Sequence, residues 1–323
     1  MPGAASVLTV LCGDHRPPGM APVQPHAEIR YATPATLADE LHGADALFVW
    51  DFFSSALRDA WPAADRLRWV HVATAGVDKL LFPELVASDV VVTNSRGVFD
   101  RPIAEYVLGL VLAAAKDLPR TLALQRDRTW RHRETARIDG QSVLVVGTGS
   151  IGRAIAALLT AVGTAVTGVG RLARTGDPDF GTVHSAADLA RLLPEADFVV
   201  VAAPLTDETR GLFDGPAFIR MKPGAWLVNI GRGPIVVEPD LVAALEAGQL
   251  AGAALDVFVD EPLPADSPLW GMPNVIVSPH MSGDFVGWHD ALVELFVANL
   301  ERWRTGQPLL NVVDKSAGYV PSA

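Results

Sequence analysis

Residues 142–153 read Ser-Val-Leu-Val-Val-Gly-Thr-Gly-Ser-Ile-Gly-Arg. Val143 to Val146 form a short apolar run of the kind that makes a strand buried on both faces. Gly147, Gly149 and Gly152 follow in G-x-G-x-x-G spacing, and Ile151 to Thr160 continue as a helical pattern that closes at Gly163. Each glycine has a separate physical task. The first permits a sharp strand-to-helix turn, the second lets backbone approach a pyrophosphate, and the third lets the helix pack close to the sheet. The helix N-terminus then turns its N–H groups and positive dipole end toward phosphate. Glycine-rich turns are common, and it is the strand before and the helix after that make this one a dinucleotide site.

Working outward, 323 residues suggest about two domains, each able to bury its own core. Half the residues are hydrophobic, yet no apolar stretch reaches the roughly 18 residues of a membrane span. Met1 to Leu11 lack a basic flank before their apolar run and read as a first strand, not a signal peptide. Cys12 is the only cysteine, which excludes an intrachain disulfide and a cysteine-based metal site and fits a reducing, cytoplasmic setting. A formal net charge of −11 argues against a nucleic-acid binder.

The first ninety-odd residues alternate strands (Ser6–Leu11, Glu28–Tyr31, Ala46–Trp50, Trp69–Val72, Val90–Thr93) with helices (Thr36–Leu41, Ser54–Ala60). That rhythm belongs to an open parallel α/β unit. Ala73-Thr74-Ala75-Gly76-Val77-Asp78 reads either as a tight βα connection or as a backbone N–H cradle for a carboxylate. Asp100 to Lys116 is a helix apolar nearly all round, the kind that lies between layers or domains. A first domain boundary falls just before it, near residue 97. Arg126 to Arg137 is dense in charge around Trp130 and reads as a solvated connector or part of a subunit contact.

The second half repeats the rhythm with strands at Ala165–Val169, Phe198–Ala202, Ala225–Ile230, Ala253–Asp256 and Val275–Ser278. Its helices are expected at Ser185–Leu193 and Glu238–Glu246, the first of them capped. This is the strand supply of a doubly wound sheet. A last amphipathic helix, Phe285 to Trp303, follows a second boundary near residue 287, so the C-terminal segment completes the N-terminal domain. The domains are therefore 1–96 plus 288–323, and 97–287.

The acid that grips the adenosine ribose is expected at the tip of the second strand after the glycine turn. Here the tip is Gly170-Arg171, with Arg174 close behind and no carboxylate until Asp177. Two arginines in place of an acid suit a 2′-phosphate, which guanidinium grips bidentately; the alternative is a pair of solvated loop charges. NADP(H) is the preferred cofactor and NAD(H) the second choice. Farther on, Arg232, Glu261 and His280 each follow an expected strand, the edge where open α/β sheets bind ligands. Singly, each has an ordinary structural explanation. Together they supply what hydride transfer to a 2-oxo acid requires: a cation for carboxylate and carbonyl, an imidazolium to protonate the forming alkoxide, and a carboxylate to orient the ring.

Across nearly the full chain the sequence resembles the D-isomer-specific 2-hydroxyacid dehydrogenase family, through Val143–Arg153, Asn229–Val236, Ala251–Leu263 and Pro268 to Gly283. Val237 to Leu241, Asn311 to Asp314 and Gly318-Tyr319 are similar to the glyoxylate/hydroxypyruvate reductase subgroup. The resemblance implies a Rossmann dinucleotide-binding domain inserted in a flavodoxin-like substrate domain, an interdomain cleft and a homodimer. It implies Arg232 on substrate carboxylate and carbonyl, His280 as general acid/base with Glu261 as partner, and Ala75 and Gly76 holding the carboxylate. It further implies Ser150 and Ile151 at the pyrophosphate, Asp256 at the nicotinamide carboxamide, and Ala203, Pro204, Thr209, Ile230 and Gly283 along the cofactor. Phe99-Asp100-Arg101-Pro102 departs from the small or hydroxyl residues frequent there. The rival reading is a nucleotide-sensing, corepressor-like protein without turnover, which the intact trio and the absence of a basic surface disfavour.

Overall fold

A computed structural model describes residues 6–13 and 15–321. The start of the Met1–Leu11 reading and the last two residues of the tail lie outside them. The chain divides into two compact units, one running to Phe99 and resuming at Phe285, the other spanning Asp100–Asp284.

The first unit is built on β1 (Ser6–Leu11), β2 (Ala27–Ala32), β3 (Ala46–Val49), β4 (Trp69–Val72) and β5 (Val91–Asn94), with helices α1 (Leu37–Leu41), α2 (Ala56–Ala60) and α3 (Pro83–Ala87) between them. All its pairings are parallel, in the order β2-β1-β3-β4-β5. This is the flavodoxin-type winding, with its switch point between β1 and β3. Every residue of β3 and β4 is buried, and apart from one position in β4 both read as apolar runs.

One buried residue of that run is polar. His71 is 0 % exposed and lies 5.5 Å from the Phe296 ring. Trp69 Nε1 donates to Thr93 Oγ1 at 2.8 Å, so the Thr93 hydroxyl proton is directed to His71 Nδ1, also at 2.8 Å. His71 Nε2 meets Ser95 Oγ at 3.4 Å, and that hydroxyl donates to the Val72 carbonyl. The network suits a neutral imidazole, and burial pushes its pKa down to about 3. In the unfolded chain the ring titrates near 6.5. The stability of the neutral ring is therefore fully present above that pH and is lost as pH falls toward 3, by roughly 1.4 kcal/mol per pH unit. Urea unfolding of wild type and His71→Gln across pH 4.5–7 should show the variant's pH slope smaller by about one proton; equal slopes contradict this.

The second unit opens with α4 (Asp100–Ala115), which buries Ile103, Ala104, Val107, Leu110 and Val111 against later elements, and continues into α5 (Leu118–Arg126). Then come β6 (Ser142–Val146), α6 (Ser150–Ala161), β7 (Ala165–Gly170), β8 (Arg174–Asp177), β9 (Gly181–Ser185), α7 (Leu189–Leu192), β10 (Phe198–Val201), α8 (Gly215–Arg220), β11 (Trp226–Asn229), α9 (Glu238–Glu246), β12 (Gly252–Leu255) and β13 (Val275–Val277). The sheet runs β13-β12-β11-β10-β6-β7-β9-β8, parallel except for β8. Its switch point lies between β6 and β10, so the glycine turn leaves the sheet where ligands bind. The helix α4 packs on α6 and β11. The chain returns to the first unit with α10 (Trp288–Arg304).

Several expectations need correction. The final helix starts at Trp288, not Phe285, because Gly287 caps it in a left-handed conformation (φ 95°). The segment 185–193 is a 3-10 turn and a short helix, not one continuous helix; Ser185 and Asp188 still form a capping box at its start. Helices α3, α5 and α8 and the hairpin β8–β9 were not foreseen.

Candidate active site

In the glycine turn, the packing separates the three glycines. A Cβ on Gly147 (φ 111°) would stand 2.5 Å from the backbone of Ala202 and Ala203, and one on Gly152 would collide with the Gly147 carbonyl. A Cβ on Gly149 would meet nothing within 4 Å. Gly149 is thus the glycine that faces open space at the N-terminus of the twelve-residue α6. This is the cradle a pyrophosphate needs, and the residues present fit the group. Ser150 is tied to Asp100, its Oγ donating to Oδ1 at 3.1 Å, and Arg101 pairs with Glu105.

At the tip of β7 a Cβ on Gly170 would lie 2.8 Å from Thr148 Oγ1 and 3.2 Å from Val183. A side chain at this position would press on both neighbours. Arg174 lies beside the turn, its Nη2 donating to Thr148 Oγ1 at 3.1 Å. Arg171 is exposed near Glu208, whose carboxyl is held below its ordinary value chiefly by the Thr206 hydroxyl and more weakly by the Arg171 charge. After β10, Thr209 Oγ1 donates to the Pro204 carbonyl at 2.7 Å and closes the loop that begins at Ala203. Ile230 is buried at the end of β11, and Gly283 is buried beyond His280.

The loops after β11, β12 and β13 carry the acid–base residues. Asn229, 1 % exposed, accepts from Gly231 N–H at 3.1 Å and donates to the Arg232 carbonyl at 3.2 Å. This side-chain clamp fixes the backbone on both sides of Arg232. A Cβ on Gly233 would collide with the Phe258 backbone, so the loop after β11 and the loop after β12 meet backbone to backbone. Phe258 N–H in turn donates to Glu261 Oε1 at 3.0 Å, and Glu261 Oε2 meets His280 Nδ1 at 2.9 Å. The carboxylate is therefore oriented by one oxygen and orients the imidazole with the other. With Nδ1 committed to Glu261, Nε2 is the nitrogen that can exchange a proton with a ligand. The His280 side chain is 32 % exposed and reachable.

His280 has a left-handed backbone (φ 52°), unusual for a residue with a side chain. It is held by its N–H bond to the Asp256 carbonyl at 2.8 Å. The Asp256 side chain, 0 % exposed, accepts from Ser278 Oγ and Met281 N–H on one oxygen and from Ser282 N–H on the other. The Asp256 carboxylate, expected at the nicotinamide, is bonded within the His280 loop and shapes it. Sequence reading missed Asn229, although an Asn closing a strand before Gly-x-Gly is a readable turn signal.

In the first unit, Ala75 and Gly76 follow β4 and are partly exposed, and Asn94 Nδ2 fixes the Ala75 carbonyl at 2.5 Å. They belong to the first unit, and the trio belongs to the second.

A parallel sheet whose switch point carries a phosphate cradle, with an oriented Glu–His pair and an arginine on the same edge, defines a nicotinamide-dinucleotide oxidoreductase. Comparison with known proteins narrows it. Residues 108–282 match the family described as D-isomer specific 2-hydroxyacid dehydrogenase, NAD binding domain. The chain is 34 % identical to a glyoxylate/hydroxypyruvate reductase A of Arabidopsis thaliana, over 80 % of this chain and 83 % of that one. A D-isomer specific 2-hydroxyacid dehydrogenase family protein from Aeromonas salmonicida superposes with a TM-score of 0.82 at 35 % identity, covering 97 % of this chain and all of that one. The NADPH-dependent glyoxylate/hydroxypyruvate reductase of Sinorhizobium meliloti, solved with NADP and sulfate, gives 0.82 at 30 % identity with the same coverage. The chain belongs to the D-isomer specific 2-hydroxyacid dehydrogenase family, within which it is similar to the glyoxylate/hydroxypyruvate reductases.

Proposed function

We propose that the protein reduces a small 2-oxo acid of the glyoxylate or hydroxypyruvate type to the D-2-hydroxy acid, with NADP(H) preferred over NAD(H). A bound nicotinamide supplies the hydride. Arg232 binds the substrate carboxylate and polarises the carbonyl, and its charge is used in both the ground and transition states. His280 donates a proton from Nε2 to the oxygen as it gains charge, and Glu261 stabilises and orients the imidazolium through Nδ1. Ala75 and Gly76 would hold the carboxylate by backbone N–H groups. The observation that carries this reading is the 2.9 Å Glu261–His280 pair, fixed at its far side by Phe258 N–H.

The cofactor preference rests on Arg174 beside the glycine turn and on a glycine in place of an acid at position 170. The S. meliloti relative, solved with NADP, supports it. A homodimer and a cytoplasmic setting belong to the same proposal; among the described residues no helix is long and apolar enough to cross a membrane.

Loss of nicotinamide absorbance with glyoxylate, hydroxypyruvate and pyruvate, run separately with NADPH and NADH, tests the reading. Turnover with NADPH at least tenfold better in kcat/KM is expected. A preference for NADH overturns the cofactor assignment alone. Nucleotide binding without turnover on any of the three overturns the substrate class.

A further inference from the structure

The most heavily bonded ion cluster in the second unit lies outside the catalytic trio, at the edge hairpin β8–β9. Asp177 ends β8 with its side chain 1 % exposed. Arg153 of α6 grips it with two bonds, Nη1 to Oδ1 at 2.9 Å and Nη2 to Oδ2 at 2.7 Å. The backbone N–H groups of Asp179 and Phe180 also donate to Oδ1, and Arg174 Nε donates to Oδ2 at 2.8 Å. Arg153 is itself shared with Asp179 at 2.6 Å. Five donors thus converge on one buried carboxylate, enough to keep it ionised despite burial. Its placement is over-determined by α6, the helix that opens the phosphate cradle.

We propose that Asp177 is a specificity-determining positioning residue: it holds Arg174 against Thr148 of the glycine turn so that the guanidinium is preset for the 2′-phosphate of the cofactor. The proposal rests on the NADP(H) reading above. The two ends of the ion pair differ in access, since the Arg174 side chain is 39 % exposed where that of Asp177 is 1 %. A ligand therefore meets the arginine and not the acid. Asp177 takes Nε, and Nη2 bonds Thr148 Oγ1, so both ends of the guanidinium are pinned beside the turn. Nη1 stands 3.7 Å from where a Gly170 side chain would begin, in the place the ribose acid would occupy in an NAD site. An arginine on an edge strand with no such partner would have to be ordered by the ligand, which weakens binding; here the fold orders it in advance. The first carboxylate after the strand tip stands seven positions beyond Gly170 and bonds Arg174.

Calorimetric titration of the full chain with adenosine 2′,5′-bisphosphate and with AMP separates this role from general stability. Wild type is expected to favour the bisphosphate. In Asp177→Asn, which keeps the shape and removes the charge, that preference should fall at least tenfold while AMP affinity stays within about twofold. Parallel losses for both ligands, no change, or tighter bisphosphate binding each overturn the proposal. Wild type lacking any preference overturns the NADP(H) reading and the proposal together, whereas a wild-type preference that survives in Asp177→Asn overturns the proposal alone. If near-ultraviolet circular dichroism shows that Asp177→Asn does not fold, Arg153→Lys provides the second variant. It loosens the two-bond grip of α6 on Asp177 and should lower the preference about threefold; an unchanged preference overturns the proposal.

Discussion

Replacing His280 with Gln is expected to lower kcat for 2-oxo acid reduction at least ~100-fold while leaving KM within about threefold. The reason lies in what the substitution keeps. A Gln amide can still donate to Glu261, which the structure places 2.9 Å from His280 Nδ1. The loop also remains shaped by Asp256, through Ser278, Met281 and Ser282. The left-handed backbone at this position carries a comparable steric cost for either residue. What is lost is the proton donor, and the alkoxide must then take its proton from water. That loss falls on the transition state and leaves ground-state binding largely intact. Steady-state kinetics and a melting curve on the same preparation separate this from misfolding. A variant with normal melting and turnover within tenfold of wild type removes His280 from the chemistry.

Replacing Arg232 should do more, because its charge is used twice. Arg232→Gln is expected to lower kcat/KM by about 10³-fold, with KM raised and kcat reduced together; at ~1.4 kcal/mol per factor of ten this is the loss of a charge-assisted bidentate contact plus carbonyl polarisation. Arg232→Lys restores the charge but not the planar fork, and should recover only part of the loss. The backbone on either side is set by Asn229 and by the packing of Gly233 on Phe258, to which the guanidinium adds one bond from Nη1 to the Gly231 carbonyl at 2.8 Å, so melting should change only modestly. If Lys restores full activity, the contact is a simple charge and the bidentate assignment fails. If Gln changes only KM, Arg232 binds substrate without polarising the carbonyl.

Much of this was readable before the structure, for identifiable reasons. The strand β6 and the helix α6 are adjacent in sequence, and Gly147 and Gly152 are dictated by backbone contacts that leave no space for a side chain. The central parallel strands β3, β6 and β10 are buried on both faces and announce themselves as short apolar runs. The hairpin β8–β9 left no such trace. Arg174-Thr175-Gly176-Asp177 has no alternating apolar face, and three of its four residues are exposed. Its pairing depends on Arg153, which lies 24 residues before Asp177, and a long-range ion pair has no local pattern. Asp177 was visible only as the first carboxylate beyond an empty strand tip, not as the anchor of Arg174. The bonds that Asp256 makes left no local trace either. Its position after β12 marks it as functional, but whether a carboxylate faces ligand or loop depends on donors from residues 278–282, supplied after the next strand.

The most direct measurement is the fate of the transferred hydride. Hydroxypyruvate would be reduced with NADPH carrying deuterium at both C4 positions of the dihydronicotinamide, and the product analysed by mass spectrometry and proton resonance. One deuterium on C2 of the glycerate, none of it exchanged with solvent, is the expected result for direct transfer to the carbonyl carbon with the proton delivered separately by His280. Glycerate without deuterium at C2, or no reduction of any small 2-oxo acid, contradicts the assignment of the Arg232, Glu261 and His280 site to this reaction.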